Sequence, residues 1–265
     1  GHYCRNHGGS LVPVQSRPDL SIDPVAFDKT VTEKTAAVLI CSPNNPSGKI
    51  YSQENIGELI AVLEKHGKKT GRKPYLICDE PYRAITYKGK KVAPVFPVYN
   101  EAIIVSSFAK NLSLPGERVG YIAVNPLCPD WAELIAACIF CTRVLGYVNS
   151  PAFFQKVVAK SWNAKVDYSA YTRRMEQISS VVKAAGLEFV EPEGAFYLFV
   201  KAPLRSGESV ADDFAFTDHL KKYNILCAPG TGFGCPGYFR MAYCVSESTI
   251  INCGTSLKEA VQSYK

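Results

Sequence analysis

Lys110 has a position in this 265-residue sequence that suggests chemistry. It follows the apolar run Ile103–Ser107, which is typical of a strand, so it comes just beyond that strand's carboxyl end. Ligands of open α/β sheets bind outside the carboxyl ends of the strands. A lysine that is partly desolvated there can act as a Schiff-base nucleophile. The alternative is an exposed lysine in a turn, which on this segment alone is the more common situation.

A carboxylate occupies the equivalent place after a second apolar run. Asp79 follows Tyr75–Cys78, and Tyr82 comes three residues later. A carboxylate at such a position can keep a pyridine nitrogen protonated, which makes the ring an electron sink. Asp79 before Glu-Pro would equally serve as a helix N-cap. If a helical turn begins there, Tyr82 points in the same direction as Asp79.

Two further segments are candidates for the same site. Ser42–Gly48, rich in Pro, Asn and Gly, follows the apolar run Ala36–Cys41 and predicts a turn at the carboxyl end of a third strand. Arg240 lies within the apolar segment Tyr238–Tyr243. A salt bridge is one explanation for Arg240, but an arginine facing a cleft is more natural between such neighbours than a solvated one.

The elements that must position these side chains alternate between strand and helix, as in an α/β fold. The runs at 36–41 and 75–78 lack polar alternation, which is typical of strands covered on both faces in a parallel sheet. Between them, Gln53–His66 carries aliphatic residues at helical spacing, giving strand, helix and strand. The apolar runs Leu11–Val14 and Tyr121–Val124 indicate further strands.

From about residue 130 the pattern changes. Helices are predicted at Trp131–Arg143 and at Pro151–Ala185, the second long and kinked. The segments that follow indicate a second, α+β domain, with strands at Glu188–Glu191, Ala195–Val200 and Tyr238–Cys244 and helices near Val210–Tyr223 and Glu247–Gln262.

Composition narrows the class of protein. Apolar residues make up 47% of the chain, enough for a sizeable core, and the formal charge of +6 is scattered rather than clustered, so no nucleic-acid partner is expected. No apolar stretch is long enough to span a bilayer, so no membrane partner is expected.

Several of the ten cysteines lie inside apolar runs, which favours reduced thiols in the cytoplasm. Cys138 and Cys141 have no matching second pair, so no metal is expected.

In combination, the candidate segments resemble the class I/II (fold-type I) pyridoxal-phosphate-dependent aminotransferases. Their order and spacing fit that family, with 34 residues from Asn45 to Asp79 and 31 from Asp79 to Lys110. The likeness extends over nearly the whole chain. The segments that carry it are Asn45–Gly48, Asp79–Tyr82, Ser107–Lys110, Gly116–Gly120, Pro192–Tyr197 and Phe239–Arg240.

The resemblance implies an architecture. The expected fold is a three-layer α/β/α large domain with a mainly parallel sheet, plus a smaller α+β C-terminal domain. Residues 1–145 would form the cofactor-binding large domain, and residues 146–265 the interdomain helix and the small domain. Family members carry about 120 further upstream residues, so the large domain is expected to be incomplete at its N-terminus.

The resemblance also implies roles around pyridoxal 5′-phosphate, the expected cofactor. Lys110 would form the internal aldimine and later carry the proton of the substrate Cα. Asp79 would pair with the pyridinium nitrogen, and Asn45 and Tyr82 would hydrogen-bond the phenolate oxygen. Lys110, Asp79 and Tyr82 are therefore the expected catalytic residues.

Binding roles follow from the same likeness. Ser107 and Arg118 would hold the cofactor phosphate, which suits the fork geometry of arginine. Arg240 would bind the substrate α-carboxylate, with Asn45 beside it. Dicarboxylate-specific members use a second arginine near the interdomain helix, and Arg143 is close to that region but out of register. A monocarboxylic or broad amino-acid donor is therefore expected.

The function implied is amino-group transfer between an α-amino acid and a 2-oxo acid, in a homodimeric enzyme of amino-acid metabolism. Two alternatives stay open. A pyridoxal-phosphate-dependent C–S lyase would use the same residues, and a chain without the upstream portion could keep the fold but be catalytically inactive.

Overall fold

Two four-stranded sheets form the framework of the protein. The computed structural model describes residues 1–264. The first sheet has the order β1-β2-β3-β4 and the second the order β5-β6-β8-β7. The strands are β1 Ala37–Cys41, β2 Tyr75–Asp79, β3 Ala102–Ser107, β4 Gly120–Val124, β5 Phe189–Val190, β6 Tyr197–Lys201, β7 Ala228–Pro229 and β8 Tyr238–Ala242.

Nine α-helices in the described residues surround the two sheets, and a 3₁₀ helix, Gly230–Phe233, follows β7. No helix within 1–264 has both the length and the apolar character needed to cross a bilayer. The α-helices are α1 His2–Asn6, α2 Pro24–Thr30, α3 Gln53–Thr70, α4 Phe108–Asn111, α5 Trp131–Val144, α6 Ala152–Ser161, α7 Ser169–Ala184, α8 Asp213–Lys221 and α9 Glu247–Tyr264.

The first sheet is mainly parallel. Strands β1, β2 and β3 run in the same direction, and β4 is antiparallel to β3. Helix α3 packs Leu59 and Leu63, both fully buried, into the core shared with β1 and β2. The Ser52 hydroxyl caps the first turn of α3 at 3.1 Å, and Gly71, with φ +74°, ends it. The α/β fold predicted from the apolar runs is confirmed.

The second sheet is antiparallel and is covered by α7, α8 and α9. Its core includes the fully buried Leu198, Phe239 and Leu257. Strand β8 lies between β6 and β7, so Arg240 is held in register opposite Phe199 and Ala228. The division of the chain at residue 145 stays a prediction.

A short segment ahead of β6 joins the two sheets. The carbonyl of Gly48 accepts hydrogen bonds from the amides of Glu193 and Gly194, both at 2.9 Å, and the amide of Ala195 donates to Ile85 at 3.0 Å. Gly194 has no room for a side chain, because a Cβ there would lie 2.7 Å from the Ile85 oxygen and 2.8 Å from Pro43. The approach of backbone to backbone therefore requires glycine.

Two predicted elements differ in the structure. The helix predicted at 151–185 is two helices, α6 and α7, because Asp167 accepts local hydrogen bonds from the Ser169 amide and hydroxyl, which compete with a continuous helix. The strand predicted at Leu11–Val14 is wrong: these residues have no regular structure, since no strand within residues 1–264 pairs with them, and Leu11 and Val12 are exposed.

Helix α5 has an apolar surface that the described residues leave uncovered. None of its residues is buried, and Ile139, Phe140 and Val144 are each more than 60% exposed. On β4, Tyr121 and Ile122 are also exposed. Exposed large apolar side chains at this density are typical of a contact with another protein segment or chain.

The contact between the sheets leads to a stability prediction. We expect Gly194→Ala to lower the free energy of unfolding by about 1–3 kcal/mol, the usual cost of overpacking, because the new methyl group would collide with the Ile85 carbonyl and Pro43. Urea unfolding followed by circular dichroism measures the change.

The matched control is Gly57→Ala on the exposed side of α3, where a Cβ meets nothing within 4 Å. This substitution should stabilise the protein by about 0.5–1 kcal/mol, the helix-interior difference between the two residues. Equal effects of the two substitutions would contradict the close approach at Gly194.

Candidate active site

Four of the sequence-predicted residues lie at one edge of the first sheet. Asp79 is the last residue of β2, Ser107 is the last residue of β3, and Lys110 lies in the one-turn helix α4 that follows. Asn45 belongs to the turn after β1. Because β1, β2 and β3 are parallel, their carboxyl ends meet at this edge, where ligands of open α/β sheets bind.

Lys110 is half-buried and faces aromatic rings. Its Nζ lies 5.9 Å from the centre of the Tyr82 ring and 5.5 Å from that of Phe196, within the range of cation–π attraction. No carboxylate of residues 1–264 lies within 4 Å of it. The alternative of an exposed turn lysine is therefore wrong.

Asp79 is the opposite charge at this edge, and it also lacks an ion pair within the described part of the chain. Burial raises the pKa of the Asp79 carboxyl, and the neighbouring Cys41 thiol offsets part of that rise. Burial also raises the pKa of Cys41, to about 12. The carboxylate is thus partly desolvated without a cation to stabilise it. The N-cap alternative is wrong, because residues 81–84 form turns and no helix begins there.

Tyr82 is buried and forms a hydrogen bond with a second tyrosine. Its hydroxyl oxygen lies 2.8 Å from that of Tyr197, at the start of β6. Burial raises the pKa of Tyr82 above its ordinary value, and the hydrogen bond to Tyr197 raises it further. Tyr82 therefore stays protonated at neutral pH and remains a hydrogen-bond donor.

Arg240 reaches the first sheet from β8. Its Nη1 donates to the Asn45 side-chain oxygen at 2.9 Å. Its guanidinium carbon lies 4.7 Å from the Tyr197 ring centre and 5.0 Å from that of Phe233, so both rings are within the range of cation–π attraction. Its Nε is buried and has no hydrogen-bond partner. The salt-bridge alternative is wrong, since no acidic side chain of the described residues lies within 4 Å, and an unused donor is left for an anion.

Ser107 and Arg118 are neighbours through the backbone. Ser107 pairs with Gly120 in the sheet, and the amide of Phe108 donates to the Val119 carbonyl at 3.1 Å. The Ser107 side chain makes no capping hydrogen bond to α4. The Arg118 side chain is exposed and donates to the Pro115 carbonyl at 2.7 Å, so the structure does not bring it into contact with the other candidate residues.

Sequence reasoning gave no role to three aromatic residues of the site. Phe196 and Tyr197 were visible in the segment Pro192–Tyr197, but only as the approach to a strand. Phe233, in the 3₁₀ helix, had no signal at all, because its nearness to Arg240 depends on how β7 and β8 pair.

Comparison with known proteins matches the chain to one family. Residues 1–253 match the family model described as aminotransferase class I and II. A probable aspartate/prephenate aminotransferase from Aquifex aeolicus is 28% identical over 263 residues, which cover 95% of this chain and 64% of that protein. An aspartate aminotransferase from Thermotoga maritima is 29% identical over 80% of this chain and 52% of its own length.

A solved structure is similar over almost all of the chain. The crystal structure of an amino transferase from Eubacterium rectale has a TM-score of 0.91 and 38% identity, and it covers 98% of this chain and 64% of that one. The chain therefore spans between 52% and 64% of the length of these relatives. The mainly parallel α/β fold is the fold of these structures.

The unpaired carboxylate leads to a prediction for the protein without ligand. We expect Asp79→Asn to raise the free energy of unfolding by about 1 kcal/mol at pH 7, the low end of the cost of an uncompensated buried polar group. The folded pKa of Asp79 is raised above its unfolded value. Below the unfolded pKa the carboxyl is protonated in both states and does not destabilise the fold. As the pH rises through the folded pKa, the folded state loses this advantage and the charged carboxylate destabilises it.

The difference between wild type and variant should therefore shrink as the pH falls from 7 towards about 4, close to the unfolded pKa of an aspartate. Chemical denaturation at several pH values measures it. Asp218→Asn is the control, because Asp218 is exposed and paired with Lys221. A destabilising effect of Asp79→Asn at pH 7 would show that Asp79 has a stabilising partner.

Proposed function

The chain belongs to the class I and II aminotransferases, and on that premise we propose that the protein transfers an amino group from an α-amino acid to a 2-oxo acid, with pyridoxal 5′-phosphate as its cofactor. The observation that supports this most directly is the pair of half-buried, unpaired charges, Lys110 and Asp79, at the carboxyl ends of β3 and β2. Burying a charge without a partner is costly, so a pair of this kind is typical of a functional site.

The side chains at this edge fit the proposed cofactor. Pyridoxal phosphate needs a carboxylate beside its ring nitrogen, a lysine that can bond to its carbonyl carbon, and hydrogen bonds to its phenolate oxygen. Asp79 and Lys110 meet the first two needs, and Asn45 and the protonated Tyr82 meet the third. When bound, the cofactor supplies a carbonyl and a protonated ring that stabilises negative charge at the substrate Cα.

Each residue has a proposed task in the reaction. Lys110 would hold the cofactor through its amine and, once the substrate amine has displaced it, the freed amine would move the proton at the substrate Cα as general base and acid. Asp79 keeps the ring nitrogen protonated, and its raised pKa falls once a cation lies beside it. Asn45 and Tyr82 hydrogen-bond the phenolate oxygen. Phe196 and the Tyr82 ring exclude water from Lys110.

The remaining residues bind rather than react. We assign the substrate α-carboxylate to Arg240, whose unused Nε and remaining Nη form the fork that pairs with a carboxylate. Asn45 fixes the direction of that fork. Ser107 and Arg118 are proposed to contact the cofactor phosphate, which requires the exposed Arg118 side chain to turn away from the Pro115 carbonyl.

For the donor we propose a monocarboxylic or broad range of amino acids. Arg143 is exposed in the last turn of α5 and is not assigned to the substrate. Several relatives are named aspartate aminotransferases, so rates with aspartate and with a monocarboxylic amino acid, compared side by side, decide this point.

We further propose that the protein works as a cytoplasmic homodimer. The ten cysteines, all without disulfides in the described residues, support a reducing compartment. The uncovered apolar face of α5 supports association with a second chain. The names of the relatives favour amino-group transfer over the C–S lyase alternative. A new amino acid as product indicates the transferase, whereas pyruvate, ammonia and a thiol indicate the lyase.

The first test concerns the lysine. Borohydride reduction of the protein with pyridoxal phosphate should fix the cofactor to the peptide that contains Lys110, because this lysine is the half-buried amine beside Tyr82 and Phe196. Peptide mass spectrometry locates the label. The control is Lys110→Arg, which keeps the charge and should abolish the label. Labelling of another lysine, with none on Lys110, would overturn the proposal.

The second test concerns the carboxylate. Arg240→Lys should raise KM for the amino acid and the oxo acid together, since both lose a two-pronged partner for the same group. The cost of about 1.5–3 kcal/mol for a hydrogen bond to a charged group corresponds to roughly 10- to 150-fold in kcat/KM. Arg173→Lys, at an exposed pair with Glu247, is the matched control and should change neither constant. An unchanged KM in Arg240→Lys would place the carboxylate elsewhere.

A further inference from the structure

Tyr197 contacts two candidate site residues that come from different sheets. Its hydroxyl meets Tyr82, which follows β2, and its ring meets the guanidinium of Arg240 on β8. Tyr197 itself is 8% exposed at the start of β6. The hydrogen bond and the ring contact are separate interactions of one side chain, so the hydroxyl can be removed while the ring stays in place.

The two hydroxyls carry two protons but share one hydrogen bond. Neither Tyr82 nor Tyr197 has another hydrogen-bond partner among the described residues, so one proton is left to point elsewhere. If Tyr197 donates to Tyr82, the Tyr82 proton is free for a ligand oxygen, and the bond that Tyr82 accepts strengthens the bond that it donates. A Tyr82 bonded in this way has a fixed orientation and a fixed role as donor.

The rings of Tyr197 and Phe233 both lie near the guanidinium of Arg240, and together they are called the clamp. The two ring centres lie 4.7 Å and 5.0 Å from the guanidinium carbon. Asp213 holds the 3₁₀ helix that carries Phe233, accepting from the Thr231 amide at 2.8 Å and from the Thr231 hydroxyl at 2.9 Å. Two aromatic rings thus lie within cation–π range of the guanidinium, and Asp213 fixes the segment that carries one of them.

We propose that Tyr197 is a positioning residue that serves both ligands of the site: its hydroxyl directs the Tyr82 proton to the cofactor ring, and its ring, together with Phe233, holds Arg240 for the substrate carboxylate. This inference rests on the proposed function. It predicts that the two effects separate in different variants, which a merely structural role for Tyr197 would not produce.

The hydroxyl is tested by Tyr197→Phe in the complete protein with bound pyridoxal phosphate. Without the bond from Tyr197, Tyr82 stabilises the phenolate oxygen less, so the protonated form of the bound chromophore is favoured. The pH midpoint of its visible absorption band should rise by about 0.5–1 pH unit, the equivalent of one ordinary hydrogen bond. Affinity for the unreactive carboxylate 3-phenylpropanoate should stay within about twofold, because the ring remains.

The clamp is tested by Phe233→Leu, which removes the partly exposed ring and leaves the buried Tyr197 in place. Affinity for 3-phenylpropanoate should fall about two- to fivefold, the value of an exposed cation–π contact, while the absorption midpoint stays unchanged. Calorimetry measures this affinity with and without the cofactor. The matched control is Tyr238→Phe, two residues before Arg240 and stacked on Phe199, which should alter neither property.

The outcomes are distinct. A shifted midpoint in Tyr197→Phe and a weakened carboxylate affinity in Phe233→Leu, each without the other effect, support the inference. An unshifted midpoint overturns the role of the hydroxyl, and an unchanged affinity overturns the clamp. If the unaltered protein fixes no cofactor on Lys110, the proposed function fails instead, and the affinity of the cofactor-free protein for 3-phenylpropanoate still decides the clamp.

Discussion

The contact between residues 193–195 and the first sheet is the interaction on which the site depends. The amides of Glu193 and Gly194 bond the Gly48 carbonyl, and Gly194 lies against the Ile85 backbone where no side chain fits. Ala195 then takes a left-handed conformation with φ +59°, and the buried hydroxyl of Tyr87 donates to its carbonyl. These constraints fix where β6 begins. They therefore fix the position of Phe196 and Tyr197 over Lys110 and Tyr82.

The two sheets contribute different chemistry to the site. Parallel strands of the first sheet bring Asp79 and Lys110 to one edge because their carboxyl ends coincide. The antiparallel second sheet supplies Arg240, which bonds Asn45 of the first. The groups proposed to contact the cofactor directly thus follow strands of the first sheet, and the arginine proposed to bind the substrate carboxylate belongs to the second.

The site lowers the stability of the folded protein without ligand. A half-buried carboxylate, a half-buried ammonium and a guanidinium with an unused buried donor all lie there without ion-pair partners among residues 1–264. Each costs stability that the apolar cores of the two sheets offset. The same groups would gain partners from a ligand that carries a basic ring nitrogen, a carbonyl and a carboxylate. Ligand binding should therefore stabilise the folded chain through mass action.

The sequence by itself determined the strands of the first sheet and the catalytic candidates. Uninterrupted apolar runs predicted β1, β2 and β3, and the spacing of Asn45, Asp79 and Lys110 identified the family, because local pattern and chain order are properties of the sequence. Tertiary structure alone decided how Tyr197 and Phe233 flank Arg240, that the 151–185 segment divides into two helices, and that Leu11–Val14 is not a strand. The ring contacts depend on residues far apart in the chain, and the absence of a strand depends on whether a hydrogen-bonding neighbour is present, neither of which a local pattern contains. The break in the helix follows from the local hydrogen bonds of Ser169 to Asp167, which compete with the helical hydrogen bonds.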